Sequence, residues 1–271
     1  MTARRRRGRV LPRAFYDRPT LEVARDLLGK VLVHRTEDGL TSGVIVEAEA
    51  YIGESDPACH AAPGPTRRNE PLYGDPGRAY VYFNYGMHYL VNAVTERRGY
   101  PAAVLIRALE PIEGIGVMRT RRGSRRSGAE IPEHDLCKGP GNLTRAMGIA
   151  LGENRADLTR AAGAPHAGLW IEDRGVVVTG VGWTPRIGVR LGTDHAWRCY
   201  VASNPSVSGR RVAGIKRKSS VVGSRESAFS RRTNAPEGVQ PLLATAAPGA
   251  AASRPRAPGT RSSGLLGRRR P

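Results

Sequence analysis

Residues 44–51 constrain the fold of this chain more than any other stretch. They read Val-Ile-Val-Glu-Ala-Glu-Ala-Tyr, and the β-branched start and the alternating pattern predict a β-strand. Strict alternation places four small apolar side chains on one face: Val44, Val46, Ala48 and Ala50. The opposite face then carries Ile45, Glu47, Glu49 and Tyr51. A long Gly- and Pro-rich segment that contains His60 follows directly, so this strand is a typical position for an active site.

The remaining pattern predicts one mixed α/β (α+β) domain over about residues 14–209, with a mostly antiparallel sheet. Helices are predicted for residues 20–29, with Thr20 as the N-cap, for residues 112–122, which Gly114 and Gly116 weaken, and for about residues 143–147. Strands are predicted for residues 30–34, 79–84, 87–94, 101–109, 169–172, 176–181, 187–189 and 197–201. The sequence lacks the regular strand–helix alternation of a doubly wound parallel sheet.

The basic charge is concentrated at the two ends of the chain. The formal net charge is +19, from 43 Lys and Arg against 24 Asp and Glu. Residues 1–13 hold six of the basic residues, and residues 210–271 hold fourteen with two acids, so the stretch between them is nearly neutral. Both ends lack apolar periodicity, so we expect a disordered basic arm and a disordered basic tail. Such segments either bind polyanions through counterion release or stay solvated without a dedicated role.

The cysteine pattern and the lengths of the apolar runs indicate the compartment in which the protein is expected to work. The cysteines are odd in number and lack CxxC spacing, which predicts a reducing compartment without a disulfide framework or a zinc site: Cys59, Cys137 and Cys199. No apolar run is long enough to span a bilayer, and the Arg-rich start is not followed by the apolar segment of a secretory signal. We therefore expect a cytoplasmic protein, associated with the nucleoid if the source is prokaryotic.

Glu47 and Glu49 are the first candidates for chemistry. One carboxylate can act as a general base on water, and two can divide the acid and base roles. Side chains at positions i and i+2 of a strand lie roughly 7 Å apart, which falls in the range of inverting glycoside hydrolases. An exposed strand face with two solvated carboxylates fits the same spacing. The spacing alone therefore leaves both interpretations open.

Aromatic side chains recur after this strand. Tyr80 and Tyr82 share one face of a later predicted strand, and Tyr85 lies at the break that follows it. If the two strands are neighbours, Tyr51, His60 and Tyr82 can wall a narrow slot. Such a slot binds flat or cationic rings by stacking and cation–π attraction. Taken singly, each aromatic residue is more typical of ordinary packing.

Three polar residues stand in contexts that call for a partner. Arg107 interrupts the run Ala-Val-Leu-Ile-Arg-Ala-Leu, where a buried charge requires a carboxylate such as Glu49 or a phosphate, unless the side chain faces solvent. Asn92 also lies in an apolar strand, where it can satisfy a backbone group. Lys138, beside Gly-Pro-Gly, can form a Schiff base, bind a phosphate with turn amides, or simply belong to a turn.

Read together, these residues resemble the alkyladenine (3-methyladenine) DNA glycosylase family. The matching motifs occur in one order over about residues 12–208. They are residues 24–30, 47–51, 60, 66–69, 76–77, 80–82, 85–87, 92, 107–111 and 139–141. The resemblance implies a compact single domain with a curved antiparallel sheet flanked by helices. It also implies removal of alkylated purines, of the 3-methyladenine and 7-methylguanine type, from double-stranded DNA.

The same resemblance assigns the chemistry to particular residues. It implies that Glu49 is the base that activates water for hydrolysis of the N-glycosidic bond, assisted by Arg107, and that Glu47 is structural. An alkylated purine such as 3-methyladenine is cationic in its nucleoside, so one general base and an aromatic cage can suffice without a strong second acid. No lysine stands at the key position, so we expect a monofunctional glycosylase without strand cleavage. We expect no metal and no cofactor, and a monomer.

The residues that hold the base also follow from the resemblance. Tyr51, His60 and Tyr82 are expected to stack around the flipped base. Asn92 is expected to screen the minor-groove edge of the purine, and Tyr85 to act as the wedge left in the duplex.

Two other classes of protein remain open at this stage. A glycosylase with lyase activity would use Lys138 as its nucleophile, and a non-catalytic nucleic-acid-binding protein would depend on the basic ends. The family pattern has aromatic residues where this chain has Cys199 and Ser206, which puts the local packing in question. The choice among modified purines depends on pocket dimensions that a sequence does not give.

Overall fold

The computed structural model describes residues 8–84, 86–124, 128–162 and 167–209. Within these ranges the strands are β1 (Arg9–Val10), β2 (Val31–Thr36), β3 (Gly39–Ile52), β4 (Ala79–Asn84), β5 (His88–Val94), β6 (Ala102–Glu113), β7 (Gly168–Asp173), β8 (Val181–Thr184) and β9 (Arg198–Val201). The helices are α1 (Arg13–Tyr16), α2 (Thr20–Leu27), α3 (Ile115–Arg122) and α4 (Pro140–Met147). The strand pairs in these ranges are antiparallel, which confirms the predicted mixed α/β class. The longest of these helices have eight residues, so none could cross a bilayer.

The predicted basic tail lies wholly outside the described residues, and so do the first seven residues of the predicted basic arm. Residues 1–7 and 210–271 are not among them, so the expected disorder of both ends stays a prediction. Within the arm, Arg9 and Val10 form β1, which pairs with the end of β7. The described part of the chain therefore begins on the edge of the sheet.

Strand β3 lies at the centre of the sheet. The strands follow the order β1-β7-β2-β3-β6-β5-β4, and β8 joins through β9. One edge of β3 pairs with β6 along most of its length. The other edge is divided, since β2 pairs with residues 39–44 and β9 with residues 47–49. Because both edges are occupied at Glu47 and Glu49, this part of β3 is enclosed by its neighbours.

A bulge interrupts the strict alternation that the sequence suggests for β3. Between Ile45 and Glu47, two steps along β3 face a single step along β6. The small residues therefore divide between two core clusters, with Ile45, Ala48 and Ala50 in one and Val44 and Val46 in the other. The predicted single face for Val44, Val46, Ala48 and Ala50 was wrong, because the extra residue reverses the facing of the chain.

The two faces of the sheet have different roles in β4, β5 and β6. One face packs with α2 and α4 in the main core through Ala79, Val81, Val91, Ala93, Val104 and Ile106. The alternate residues of the same strands line a cavity. The side that faces the helices therefore holds the fold together, and the opposite side is available for function.

Several predicted boundaries differ from the observed ones. Pro19 is the N-cap of α2, so the assignment of Thr20 as the cap was wrong; its hydroxyl instead donates a 2.8 Å hydrogen bond to Glu96. The strands predicted for residues 176–181 and 187–189 are not formed, apart from Val181 at the start of β8. Short apolar runs fit either a strand or a loop that packs against the domain, and residues 187–189 belong to a loop beside the cavity.

Alanine substitutions at two glycines around the start of α3 are expected to have opposite effects on the free energy of unfolding. Gly114 has a φ of 74°, and a Cβ there would lie 2.4 Å from the carbonyl oxygen of Leu40. Gly116 lies inside α3 with nothing within 4 Å of a Cβ. We expect Gly114→Ala to lower the free energy of unfolding by roughly 1–3 kcal/mol. Gly116→Ala should leave it unchanged or raise it by up to about 1 kcal/mol. Urea denaturation measures both, and equal losses would contradict this account.

Candidate active site

A cavity of about 440 Å³ opens on the sheet face opposite the main core, and Pro140 at the start of α4 is among the residues that line it. Its floor consists of side chains from four strands: Tyr51, Tyr80, Tyr82, Leu90, Asn92, Ala103, Leu105 and Arg107. Two loops complete the walls, one with residues 57–60 and the other with residues 187–191. Its size falls within the range of small-molecule sites. The described part of the chain thus brings most of the predicted site residues to one place.

His60, Tyr80 and Tyr82 form the aromatic wall of the cavity. The ring centroids of His60 and Tyr82 are 4.4 Å apart in an edge-on arrangement, and those of Tyr80 and Tyr82 are 5.3 Å apart. Tyr51 also lines the cavity, but β3 and β4 are separated by β6 and β5. The two strands are therefore not neighbours, although adjacency was the condition under which the sequence predicted the aromatic slot. The aromatic residues still line one cavity because they project from the same face of the sheet.

The protonation of His60 is set by its surroundings. Burial and then the nearby Arg68 guanidinium lower the pKa of His60, so its ring is neutral at pH 7. Burial raises the pKa of Tyr80 to about 12, so its hydroxyl keeps its proton. His60 Nδ1 and the Tyr80 hydroxyl are 2.9 Å apart. This contact orients the imidazole, and burial keeps both rings uncharged.

Two residues of the predicted site remain, Asn92 and Tyr85. Asn92 is buried at the cavity floor, and its Nδ2 donates a 3.0 Å hydrogen bond to the Tyr80 carbonyl. This bond anchors the amide and leaves its oxygen as an acceptor. Tyr85 lies outside the described residues, so its role as a wedge stays a prediction.

Glu49 is fully buried directly behind the cavity. Its Oε2 accepts hydrogen bonds from the Tyr51 hydroxyl at 3.0 Å and from Arg107 Nη1 at 3.1 Å. Its Oε1 accepts a 2.7 Å hydrogen bond from the backbone N–H of Ile187. The three donor residues themselves line the cavity. Because a carboxylate oxygen has two acceptor sites, Oε1 keeps one site beyond its hydrogen bond with Ile187.

Burial controls the acidity of this carboxylate and of the phenol beside it. Burial raises the pKa of Glu49, and Arg107, the Ile187 N–H and the Tyr51 hydroxyl oppose that rise. Burial and the Glu49 carboxylate raise the pKa of Tyr51, so Tyr51 stays protonated and donates to Glu49. A carboxylate with a raised pKa is a stronger base than an exposed one, and the donors fix its orientation.

Glu47 is as deeply buried as Glu49 and shares Arg107 with it. Glu47 Oε1 accepts hydrogen bonds from Arg107 Nε at 2.9 Å and from Arg198 Nε at 2.7 Å. The Ser208 backbone N–H donates to its Oε2 at 2.7 Å, and the Ser208 hydroxyl to Oε1 at 3.0 Å. The alternative of two solvated carboxylates on an exposed strand is therefore excluded. Two carboxylates and two guanidinium groups balance each other's charge away from water.

The loop that contributes Ile187 is attached to the other cavity loop by a buried ion pair. Both Nη atoms of Arg186 donate to Asp56, at 2.6 and 2.8 Å, and both side chains are completely buried. The Arg186 guanidinium also lies 4.7 Å from the Tyr51 ring centroid and 4.9 Å from that of Trp197. The pair thus fixes the peptide that donates to Glu49 and supports the rear of Tyr51.

The backbone of Lys138 forms a β-bridge with Ala108, but its side chain does not line the main cavity. Its Nζ is 3.2 Å from Asp135, and it lines a separate depression with Arg122 and Arg145. Among the described residues, no group of three His, Cys, Asp or Glu side chains is placed to hold a metal ion. The polar groups at the main cavity include Arg107, Asn92, His60, Arg190 and the tyrosine hydroxyls, with the Glu49 carboxylate behind them.

Sequence reasoning missed four residues that organise this site: Asp56, Arg186, Arg198 and Ser208. Arg198 offered the same signal as Arg107, a charge inside the apolar run Trp-Arg-Cys-Tyr-Val. Asp56 and Arg186 are 130 residues apart and lie in loops, so nothing local connects them. The Ile187 contact uses a backbone N–H, which every residue except proline has, and it leaves no signal in the sequence.

Comparison with known protein sequences shows which family this chain resembles. The profile of the methylpurine-DNA glycosylase (MPG) family matches residues 14–205. A protein of Methanocella arvoryzae is 51% identical over 209 residues, covering 76% of this chain and 99% of its own length. Proteins of Rubrobacter xylanophilus and Chlorobium phaeobacteroides are 48% and 46% identical, covering 70% and 73% of this chain and 93% and 94% of their own lengths. All three are assigned as 3-methyladenine DNA glycosylases.

The family match spans almost all of the described residues and includes the cavity walls, Glu49 and Arg107. The relatives are aligned over nearly their full lengths. The chain therefore belongs to the methylpurine-DNA glycosylase family, whose members are hydrolytic enzymes of base excision repair.

Proposed function

We propose that this protein releases alkylated purines, of the 3-methyladenine and 7-methylguanine type, from double-stranded DNA. The observation that carries the proposal is a buried Glu49, held by Arg107 and Tyr51 directly behind an aromatic cavity. A base inside a duplex cannot reach such a cavity, so the nucleotide must be flipped out of the stack. The family and the names of its relatives support the same class of substrate.

The proposed reaction is hydrolysis of the N-glycosidic bond. The oxygen of a water molecule forms the new bond to the sugar C1′, and Glu49 accepts the proton of that water. The bond between C1′ and the purine nitrogen breaks, and its electron pair goes to the purine. An alkylated purine that is cationic in the nucleoside becomes neutral as it leaves, so one general base suffices. Arg107 keeps Glu49 ionised before the step and balances the charge around it.

The walls of the cavity suit a flat cationic ring. His60 is held neutral, so the aromatic wall adds no positive charge that would repel the ligand. Tyr51 and Tyr82 can stack on a base and attract its positive charge through their ring faces. Asn92 is anchored at the floor, where it can distinguish the edges of purines. Tyr85 would fill the gap left in the duplex and offset part of the unstacking cost.

We further propose that the enzyme is monofunctional. A lyase step requires a lysine that attacks C1′ and forms a Schiff base. Lys138 is paired with Asp135 and does not line the cavity. The Nζ of Lys30 lies 2.6 Å from Asp173 of β7, the strand that pairs with the edge of β2 opposite β3. The placement of these two lysines argues against the lyase alternative.

Release of free base from defined duplexes tests the proposal. The protein is incubated with duplexes that contain 3-methyladenine, 7-methylguanine or unmodified purines, and the released bases are separated chromatographically. We expect release of the alkylated bases and an intact abasic strand. Borohydride should trap no covalent DNA adduct, whereas a trapped adduct would support the lyase alternative. Absence of base release from every alkylated duplex would contradict the proposal.

A further inference from the structure

One carboxylate–guanidinium pair in the buried cluster is not used by the proposed hydrolysis. Glu47 and Arg198 are both almost completely buried, and Glu47 Oε1 is bonded to both Arg198 and Arg107. A buried ion pair of this kind costs desolvation energy, and apolar residues could often replace it without loss of stability. Its presence next to the catalytic pair therefore calls for a role beyond packing.

We propose that Glu47 is a positioning residue, which aims the Arg107 guanidinium at Glu49 and, together with Arg198, sets the charge that Glu49 experiences. The inference rests on the proposed hydrolysis, in which Glu49 is the general base.

The aim of Arg107 follows from the shape of its head group. A guanidinium is planar, and its donors point in fixed directions. Arg107 uses Nε for Glu47 at 2.9 Å and Nη1 for Glu49 at 3.1 Å. Holding Nε therefore determines the direction of Nη1. Glu47 is itself held by Arg198 and by both donors of Ser208. Without Glu47, the Nε of Arg107 would lose this partner, and the long, flexible side chain would no longer be held in the direction of Glu49.

The charge effect follows from the balance within the cluster. The negative charge of Glu47 helps to raise the pKa of Glu49, while Arg107 lowers it. Arg198 lies opposite Glu49 in the pairing of β3 with β9 and adds a positive charge. The titratable and charged groups that face Glu49 from the elements around it are Glu47 and Tyr51 of β3, Arg107 of β6, Arg198 of β9 and Arg186 of the cavity loop.

Neutralising Glu47 or Arg198 should therefore move the pKa of Glu49 in opposite directions. Without the charge of Glu47, two guanidinium groups remain around Glu49, which favours its ionised form. Without the charge of Arg198, two carboxylates share one adjacent guanidinium, which disfavours ionisation. A residue that only fills space would produce neither shift.

The test is the pH profile of single-turnover base release from a 7-methylguanine duplex. The acid limb reports the group that must be ionised, which is Glu49 under the proposed function. We expect Glu47→Gln to move this limb to lower pH, and Arg198→Gln to move it to higher pH, each by roughly one unit. Glu47→Gln should also lower the plateau rate about 10-fold or more, because the base is weaker and Arg107 loses its aim.

Two further variants separate charge from geometry. Glu47→Asp keeps the charge but withdraws the carboxylate from Arg107, so we expect a lower plateau rate with the acid limb near the wild-type pH. Ser208→Ala removes one hydrogen bond to Glu47 without changing any charge, so its acid limb should also stay in place. Should Glu47→Gln fail to fold, Arg198→Gln and Glu47→Asp still carry the test.

The outcomes distinguish this inference from the proposed function. If the wild-type protein releases base but the charge variants keep both the wild-type acid limb and the wild-type plateau, the role of Glu47 is overturned and the hydrolysis stands. If the wild-type protein releases no base from any alkylated duplex, the proposed function itself fails. Shifts of opposite sign in Glu47→Gln and Arg198→Gln support the positioning role.

Discussion

Glu49→Gln is expected to lower the rate of base release by roughly 10²–10⁴-fold, the usual contribution of a general base. The amide has nearly the same shape as the carboxylate, so its oxygen can still accept the hydrogen bond from the Ile187 N–H or from the Tyr51 hydroxyl. It cannot take a proton from water. The change therefore removes the chemical step and leaves the cavity almost unaltered. Single-turnover release from a 7-methylguanine duplex measures the effect.

A matched control distinguishes loss of the base from general loss of charge. Glu70→Gln removes a carboxylate whose side chain is 59% exposed and paired with Arg155 on the surface. It should release base at the wild-type rate. Glu49→Gln should bind the modified duplex as tightly as the wild-type protein does, because the cavity walls remain. A Glu49→Gln variant with a rate near that of the wild type would exclude Glu49 as the base.

The pH dependence of the wild-type enzyme follows from the same residue. Burial raises the pKa of Glu49, so its ionised form is lost as the pH falls through that raised value. The acid limb of the rate should therefore lie above the value of an ordinary glutamate, about 4.3. The pKa of His60 is lowered, so its ring is neutral at pH 7 and takes up a proton only below the pH at which an ordinary histidine does. In Glu49→Gln the acid limb should disappear with the activity.

The sequence predicts those parts of the site where a residue conflicts with the pattern around it, such as a charge inside an apolar strand. Arg107 was found because a charge inside an apolar strand needs a partner, and the structure places Glu49 at 3.1 Å from it. The face shared by Glu47, Glu49 and Tyr51 was visible in the alternation. The bulge before Glu47 was not, because the extra residue is apolar like those around it. Alternation identifies a strand but not a change of register within it.

The parts that could not be predicted depend on contacts between distant residues. β9 reaches the second half of β3 from about 150 positions along the chain, and so brings Arg198 to Glu47. Residues 187–189 look like a strand in isolation, but the ion pair of Arg186 with Asp56 and the hydrogen bond from the Ile187 N–H to Glu49 hold them as a loop beside the cavity. Pairing over such distances is determined by tertiary packing, which overrides the local pattern.

The two departures from the family pattern meet different surroundings. Cys199 is fully buried in the main core, where a thiol behaves as a small apolar group. Ser206 is also fully buried, but its hydroxyl has no hydrogen-bond partner among the described residues. The cysteine is therefore accommodated by simple packing, while the serine carries the cost of an unpaired polar group.

The buried pair of Asp56 and Arg186 predicts the largest effect on stability. Arg186→Met leaves a completely buried carboxylate without its cation. Breaking a buried pair in this way costs roughly 3–5 kcal/mol of unfolding free energy, or about 6–20 °C in Tm for a domain of this size. The exposed pair of Arg155 and Glu70 is the matched control. Arg155→Met should cost about 1 kcal/mol or less. Thermal and urea denaturation measure both variants.

The double variant Asp56→Asn/Arg186→Met shows whether the loss comes from the uncompensated charge. It contains no buried charge at this position, so it should recover part of the stability that Arg186→Met loses. Burial opposes ionisation of Asp56, but the hydrogen bonds and charge of Arg186, together with the backbone N–H groups of Ala58 and Ile52, outweigh it and lower the pKa of Asp56. The stabilisation by the pair is therefore complete above the ordinary aspartate pKa and is lost as the pH falls through the lowered one. The double variant should lack this part of the acid dependence.

Because Arg186 also fixes the Ile187 N–H on Glu49, the double variant should release base more slowly even where it is folded. A double variant no more stable than Arg186→Met would show that the packing of the guanidinium between Tyr51 and Trp197, rather than its charge, holds the loop.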